Sequence, residues 1–218
     1  EIANIYEKEF NQMLNGKFHN SKSQISHNTV VLGKTKISPL FSPKDKIITN
    51  NIVPLLKNSK KYIYVPAFTI THDEFANELI NAKKRGVDVK FIIDATNVYS
   101  KKSKVKELRG AGVSVKVENY AGKLHSKSII IDDKYIVAGS MNFTNSGENK
   151  NDENVLIIED MPLSKFYKGF FEYLWKKIPA RYLQHSVRAE GKYSIGSCSD
   201  GIDNNFDGKI DKDDVGCK

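Results

Sequence analysis

Cysteine is almost missing from this chain: 218 residues carry two, Cys198 and Cys217, close to the C-terminus. Because they bracket one short Asp-rich loop, they read as a single disulfide staple, which needs an oxidising compartment; two reduced thiols are the alternative. Long apolar runs are missing too. No stretch approaches 18 consecutive apolar residues, which excludes a membrane-spanning helix. With 14 Gly and six Pro the chain is neither collagen-like nor of low complexity. Its length allows one compact domain with a small appendage and excludes two full-sized domains. The first residues, 1–18, are polar and amphipathic and lack the pattern of a signal peptide, so a leader is expected to have been removed or the numbering to start inside a longer protein. Together with the staple, this favours an extracytoplasmic or secreted location.

What is present is charge, unevenly placed. The chain is 39% hydrophobic and 28% charged, with mean hydropathy −0.46 and a formal charge of +8. From Cys198 onward six Asp face three Lys, so the preceding body carries +11 and the tail −3. A basic body suits a polyanionic partner and an acidic tail suits a cation, although +11 also serves solubility.

Apolar periodicity predicts helices over 2–14, 44–58, 72–85, 103–109 and 163–178. Strands are expected over 29–42, 62–71, 87–95, 113–119, 125–131, 135–140 and 154–159. Alternating strands and helices imply an α/β fold with a mixed, mainly parallel sheet covered by helices on both faces, followed by a small irregular tail. The organisation expected is a helical segment 1–18, a linker 19–28, a catalytic domain 29–178, a linker 179–197 and the stapled tail 198–218. Residues 2–14 echo residues 163–175: Tyr6 aligns with Tyr167 and Phe10 with Phe171. Two unrelated amphipathic helices can share such a pattern; the alternative is that 1–18 closes a preceding homologous unit.

The chemistry concentrates in Leu124-His125-Ser126-Lys127, with Asp132 five residues on, and in Gly139-Ser140-Met141-Asn142. In a strand, His125 and Lys127 share a face about 7 Å apart. An imidazole beside a fixed ammonium suits attack on a phosphodiester. Ser140 and Asn142 can add hydrogen bonds to the same phosphate, and Glu153 can orient the imidazole. A lone His-X-Lys is usually a solvated strand face. Five polar residues converging at three successive strand ends are not explained that way.

The pattern His-X-Lys-X4-Asp followed by Gly-Ser-X-Asn resembles the signature of the phospholipase D superfamily. The run Asn145–Asn154, with Phe68–Thr71, Lys84–Val89 and Ile92–Asp94 upstream, looks like its bacterial Nuc-type endonuclease branch. The resemblance covers roughly 30–177. It implies that His125 is a nucleophile forming a phosphohistidine, that Lys127 and Asn142 bind phosphate oxygens, that Ser140 and Glu153 support the imidazole, and that Asp132 is mainly structural. It also implies chemistry without a metal, and a site built from two such motifs. This chain has one; His19, His27, His72 and His185 lie in no matching motif. The second is expected from a homodimer partner or a homologous first half.

In the tail, Asp203, Asn205, Asp207, Lys209 (by its backbone carbonyl), Asp211 and Asp214 fall on the positions of an EF-hand loop, with Gly208 at the turn. Asp214 stands where a Glu is usual and no flanking helices are evident. The tail is similar to Cys-bracketed Asp-rich modules of exported microbial proteins, and a weak structural Ca²⁺ away from His125 is expected; a solvated acidic loop is the alternative.

Three functions follow. The first is a metal-independent, nonspecific nuclease, with DNA preferred over RNA and the basic runs 57–61, 83–85 and 101–106, near the motif and on the helices, meeting the phosphate backbone. The second is a phospholipase D or phosphatidyl transferase, against which stands the lack of a strongly amphipathic membrane-binding segment. The third is a nucleic-acid-binding half, inactive without its partner.

Overall fold

Gly33 takes φ +62° and turns the chain back on itself, so that the stretch expected as one strand becomes a hairpin of β1 (Val30–Leu32) and β2 (Thr35–Phe41). This computed structural model describes residues 1–26 and 29–218. The last two positions of the expected linker 19–28 lie outside the described residues. The rest of that stretch packs onto the body: Lys22 is buried, pairs with Glu9 and Asp152, and donates to the Ser42 carbonyl.

The remaining elements follow the expected order with shifted ends. α1 is Ile2–Leu14. The helix expected over 44–58 begins as a wide turn at Ile47–Ile52 and tightens into α2 (Val53–Asn58). Then come β3 (Tyr62–Ala67), α3 (Asp73–Lys84), β4 (Asp88–Ile93), α4 (Val105–Gly110) and β5 (Ser114–Val117). β6 (Ser128–Ile131), β7 (Tyr135–Gly139), α5 (Asn145–Asn149), β8 (Asn154–Glu159) and α6 (Met161–Lys177) complete the body. α3 shows why such segments fold locally. The His72 ring caps its first turn by accepting from the Phe75 N–H, Asp73 and Glu74 sit at its positive end, and Lys83 and Lys84 at its negative end.

Among the described residues the strands form one eight-stranded sheet in the order β1-β2-β8-β7-β6-β3-β4-β5. It is mixed, as expected, but not mainly parallel: only β3–β4 and β4–β5 pair in parallel, and every other neighbour is antiparallel. Parallel neighbours need a crossover helix, which α3 and α4 supply. β6, β7 and β8 follow one another without such a crossover and fold back and forth.

Helices cover both faces. Tyr64 stacks on Phe171 of α6 at 4.7 Å, while every residue of β3 is buried, so the Ile63 and Val65 side packs on the opposite layer that holds α3. Phe171 is fully buried, worth roughly 2–3 kcal/mol. Lys116 on β5 fastens the end of α6 by donating to the Trp175 and Ile178 carbonyls. Residues 179–197 are not a free linker: Tyr182, Val187 and Ala189 join the core cluster. Their weak periodicity reflects irregular backbone, not exposure.

Candidate active site

The sheet topology gathers the functional positions. β6 and β8 start where the antiparallel β7 ends, and β3 ends beside the start of β6. One sheet edge therefore collects His125 and Lys127 ahead of β6, Ser140 and Asn142 after β7, Glu153 ahead of β8, Phe68 after β3 and Asp94 after β4. His125 and Lys127 precede the regular part of β6, yet backbone pairing continues past it: Ala67 bridges Lys127 and the Phe68 N–H donates to the Ser126 carbonyl at 2.8 Å.

The His125 ring is exposed and meets Phe68 edge-on, with centroids 4.9 Å apart. Lys127 is buried, its Nζ 2.7 Å from the His125 carbonyl and 5.1 Å above the Phe68 ring. Desolvation pulls its ammonium below the usual lysine range, against the opposing pull of Glu153 and Asp94. A cation stripped of water in this way interacts strongly with an arriving phosphate.

Ser140 Oγ donates to Glu153 at 2.6 Å and accepts from the Asn154 N–H. Glu153 also accepts from Asn151 at 3.0 Å. The Glu153 carboxylate is thus held by Ser140 and Asn151, and acts on Lys127 through its field. Among the described residues the Asn142 side-chain oxygen is buried without a hydrogen-bond partner. Gly139 is required by close approach, since a Cβ there would lie 2.1 Å from the Asn154 carbonyl oxygen.

Asp132 is not in the site. It lies at the far end of β6, roughly 20 Å along the chain from His125, and accepts from the N–H groups of Lys60, Lys61 and Tyr62 at 2.7–2.9 Å. That ties β6 to the start of β3. The basic runs 57–61 and 83–85 sit at this far edge too, ahead of β3 and β4, and only 101–106 follows a strand end at the site edge. Of the three runs expected near the motif and on the helices, 101–106 is therefore the one at the site edge.

One residue missed as a site residue is Asp94. Its buried carboxylate accepts from the Leu124 N–H at 2.8 Å, immediately before His125, and from the Thr96 N–H. Its place at the carboxyl end of a parallel strand was the available signal.

In the tail the disulfide Cys198–Cys217 is formed. Four of the six calcium positions share partners: Asp203 and Asn205 both accept from the Asp207 N–H, and Asp214 meets Asn205 and Asp207. Asp203 and Asn205 accept from the Asp207 and Gly208 N–H groups, Asp207 from Lys209, Asp211 from Asp200 and Gly201, and Asp214 from Gly216 and Asn205. Among the described residues no group of three or more His, Cys, Asp or Glu is placed to hold a metal ion.

A family model described as "Cardiolipin synthase, PLD-like domain" matches residues 52–175. The phospholipase D of Rickettsia prowazekii (strain Madrid E) is 36% identical over 160 residues, covering 72% of this chain and 78% of that one. The mitochondrial cardiolipin hydrolase of Xenopus laevis is 30% identical over 159 residues, 68% of this chain and 75% of its own. Among solved structures, Nuc, a phospholipase D family member from Salmonella typhimurium, is similar with a TM-score of 0.62 at 26% identity, covering 67% of this chain and 97% of that chain.

Proposed function

The chain belongs to the phospholipase D superfamily, in its Nuc-type branch, and is a phosphodiesterase; from that premise we propose that it is a metal-independent nuclease. The observation that carries this reading is the convergence of His125, Lys127, Ser140, Asn142 and Glu153 at one sheet edge, on a body of charge +11. The His125 imidazole attacks phosphorus and a P–N bond forms. The Lys127 ammonium and the side-chain N–H of Asn142 donate to the phosphate oxygens. A second His125-type imidazole protonates the leaving oxygen as its bond to phosphorus breaks, then takes a proton from water, whose oxygen displaces His125.

That second imidazole comes from another copy or from a homologous first half. Supporting either source, α1 leaves Phe10 58% exposed although Phe171, its counterpart in the echo, is fully buried. Phe10, Met13 and Tyr6 line a cleft of about 560 Å³ with Glu153 and Asn154, beside the site edge. The disulfide supports an oxidising, extracytoplasmic compartment. In this reading Ca²⁺ takes no part in the chemistry, and a weak structural Ca²⁺ belongs to the tail loop, away from His125.

The names of the two relatives above favour a second reading, a lipid phosphodiester as substrate. One experiment separates them: the purified chain in excess EDTA is given DNA, RNA and cardiolipin vesicles, beside a His125→Asn control. Cutting of nucleic acid that survives EDTA and vanishes in the control is expected. Turnover of cardiolipin alone would replace the nuclease reading, and cutting abolished by EDTA would end the metal-free mechanism.

A further inference from the structure

The C-terminal unit lies beyond the matched family segment, yet it touches the loop that carries the nucleophile. Tyr120 bridges Ile195, the Ala121 N–H donates to the Ile195 carbonyl, and the Gly122 N–H donates to Asn204 at 2.8 Å. The next residue, Lys123, places its ammonium 3.5 Å over the ring of Phe206 and 5.2 Å over that of Phe68. Phe68 in turn meets His125. A ladder of ring, cation, ring and imidazole thus runs from the tail to the catalytic histidine.

Beyond its contact with Lys123, Phe206 packs against nothing in the core. It is 64% exposed, so it fills no core. Its φ is +62°, a conformation that suits Gly or Asn and strains a bulky side chain. The loop around it is nevertheless fixed, because Asp203 accepts from the Asp207 and Gly208 N–H groups on either side of the tip. One ring face is occupied by Lys123 and the ring remains open to solvent elsewhere. Exposed aromatics beside lysines are how proteins hold unpaired bases. The tail's own charge selects among contacts: at −3 it repels phosphates, which belong on the Lys123 and Lys127 side, and leaves the ring to an uncharged base. A duplex keeps its base faces stacked inside and offers this ring none to stack on.

We propose that Phe206 is a substrate-contact residue whose exposed ring stacks an unpaired base next to the phosphate held at His125, and that the substrate is accordingly single-stranded nucleic acid. The proposal rests on the nuclease reading and names its substrate class.

The test uses the full chain and its Phe206→Ala and Phe206→Trp variants on labelled oligo(dT), on the same strand paired with oligo(dA), and on bis(p-nitrophenyl) phosphate. Binding of oligo(dT) is measured in a His125→Asn background. Phe206→Ala should weaken oligo(dT) binding and raise its KM about five- to hundredfold, the range one base–aromatic stack supplies. Hydrolysis of the small ester should be unchanged, the duplex should be cut poorly by every form, and Phe206→Trp should restore the single-strand KM. Equal activity of Phe206→Ala and wild type on oligo(dT), or equal loss on all three substrates, overturns the proposal alone. Wild-type protein that hydrolyses the small ester but neither binds nor cuts nucleic acid overturns the nuclease reading and this proposal with it.

Discussion

Glu118, at the end of β5, is buried and accepts from the Tyr120 N–H. Burial pushes its carboxyl up to about 8, the charge of Asp94 adds to this, and the Tyr120 N–H opposes it. The folded chain therefore keeps a proton on Glu118 up to about pH 8, whereas the unfolded chain loses it near the ordinary 4.5. Between those values the native state binds more protons, so stability falls as pH rises and levels off above about 8. The loss from this one group is on the order of a few kcal/mol. Glu118→Gln removes that slope. Urea unfolding of both forms at pH 5 and pH 8.5 checks it: the variant should gain on wild type at the higher pH, and parallel behaviour would mean that Glu118 titrates normally. At this scale the sequence was legible wherever spacing carries chemistry, because the His-X-Lys and Gly-Ser-X-Asn runs placed His125, Lys127, Ser140 and Asn142 at one edge. It was silent on Lys123 and Phe206, which are far apart in the chain and obey no periodicity.

At the scale of elements, regular helices and strands were readable because a single face of each is apolar. What failed were the segments without a period. The hairpin hidden in 29–42 depends on Gly33, and α5 is a five-residue turn capped by Thr144. The supposed linker 179–197 contains Glu190, whose fully buried carboxylate accepts from the Asn204 and Asp211 N–H groups and so organises the tail from inside. The disulfide closes a separation of 19 residues around this cluster. A loop of that size contributes about 3 kcal/mol by restricting the unfolded tail. Replacing both cysteines by Ser should therefore loosen the tail and its grip on residues 120–122 without opening the sheet. Hydrogen exchange reads this directly: the Ala121, Gly122 and Asn204 amides should exchange faster, while those of β3 and β4 stay protected. Equal acceleration in β3 would show the staple holding the whole fold.

At the scale of the whole molecule, the single motif decides how activity depends on assembly. If each working site needs an intact His125 from two copies, inactive chains poison active ones. Mixing wild type with His125→Asn, then unfolding and refolding together so that partners exchange, gives a fraction of fully wild-type dimers equal to the square of the wild-type fraction. Cleavage at constant total protein should follow that square, falling to about a quarter in an equal mixture. Chains that work alone would follow the wild-type fraction itself and keep half. A preparation inactive at every ratio, including pure wild type, would point instead to a homologous first half as the source of the second imidazole. The cleft between α1 and Glu153 supplies the accompanying prediction, since Phe10 lies exposed on it. Phe10→Asp should weaken self-association measured by sedimentation and lower cleavage in step. In the mixing series it should leave the quadratic dependence intact, because any dimer that still forms needs both histidines.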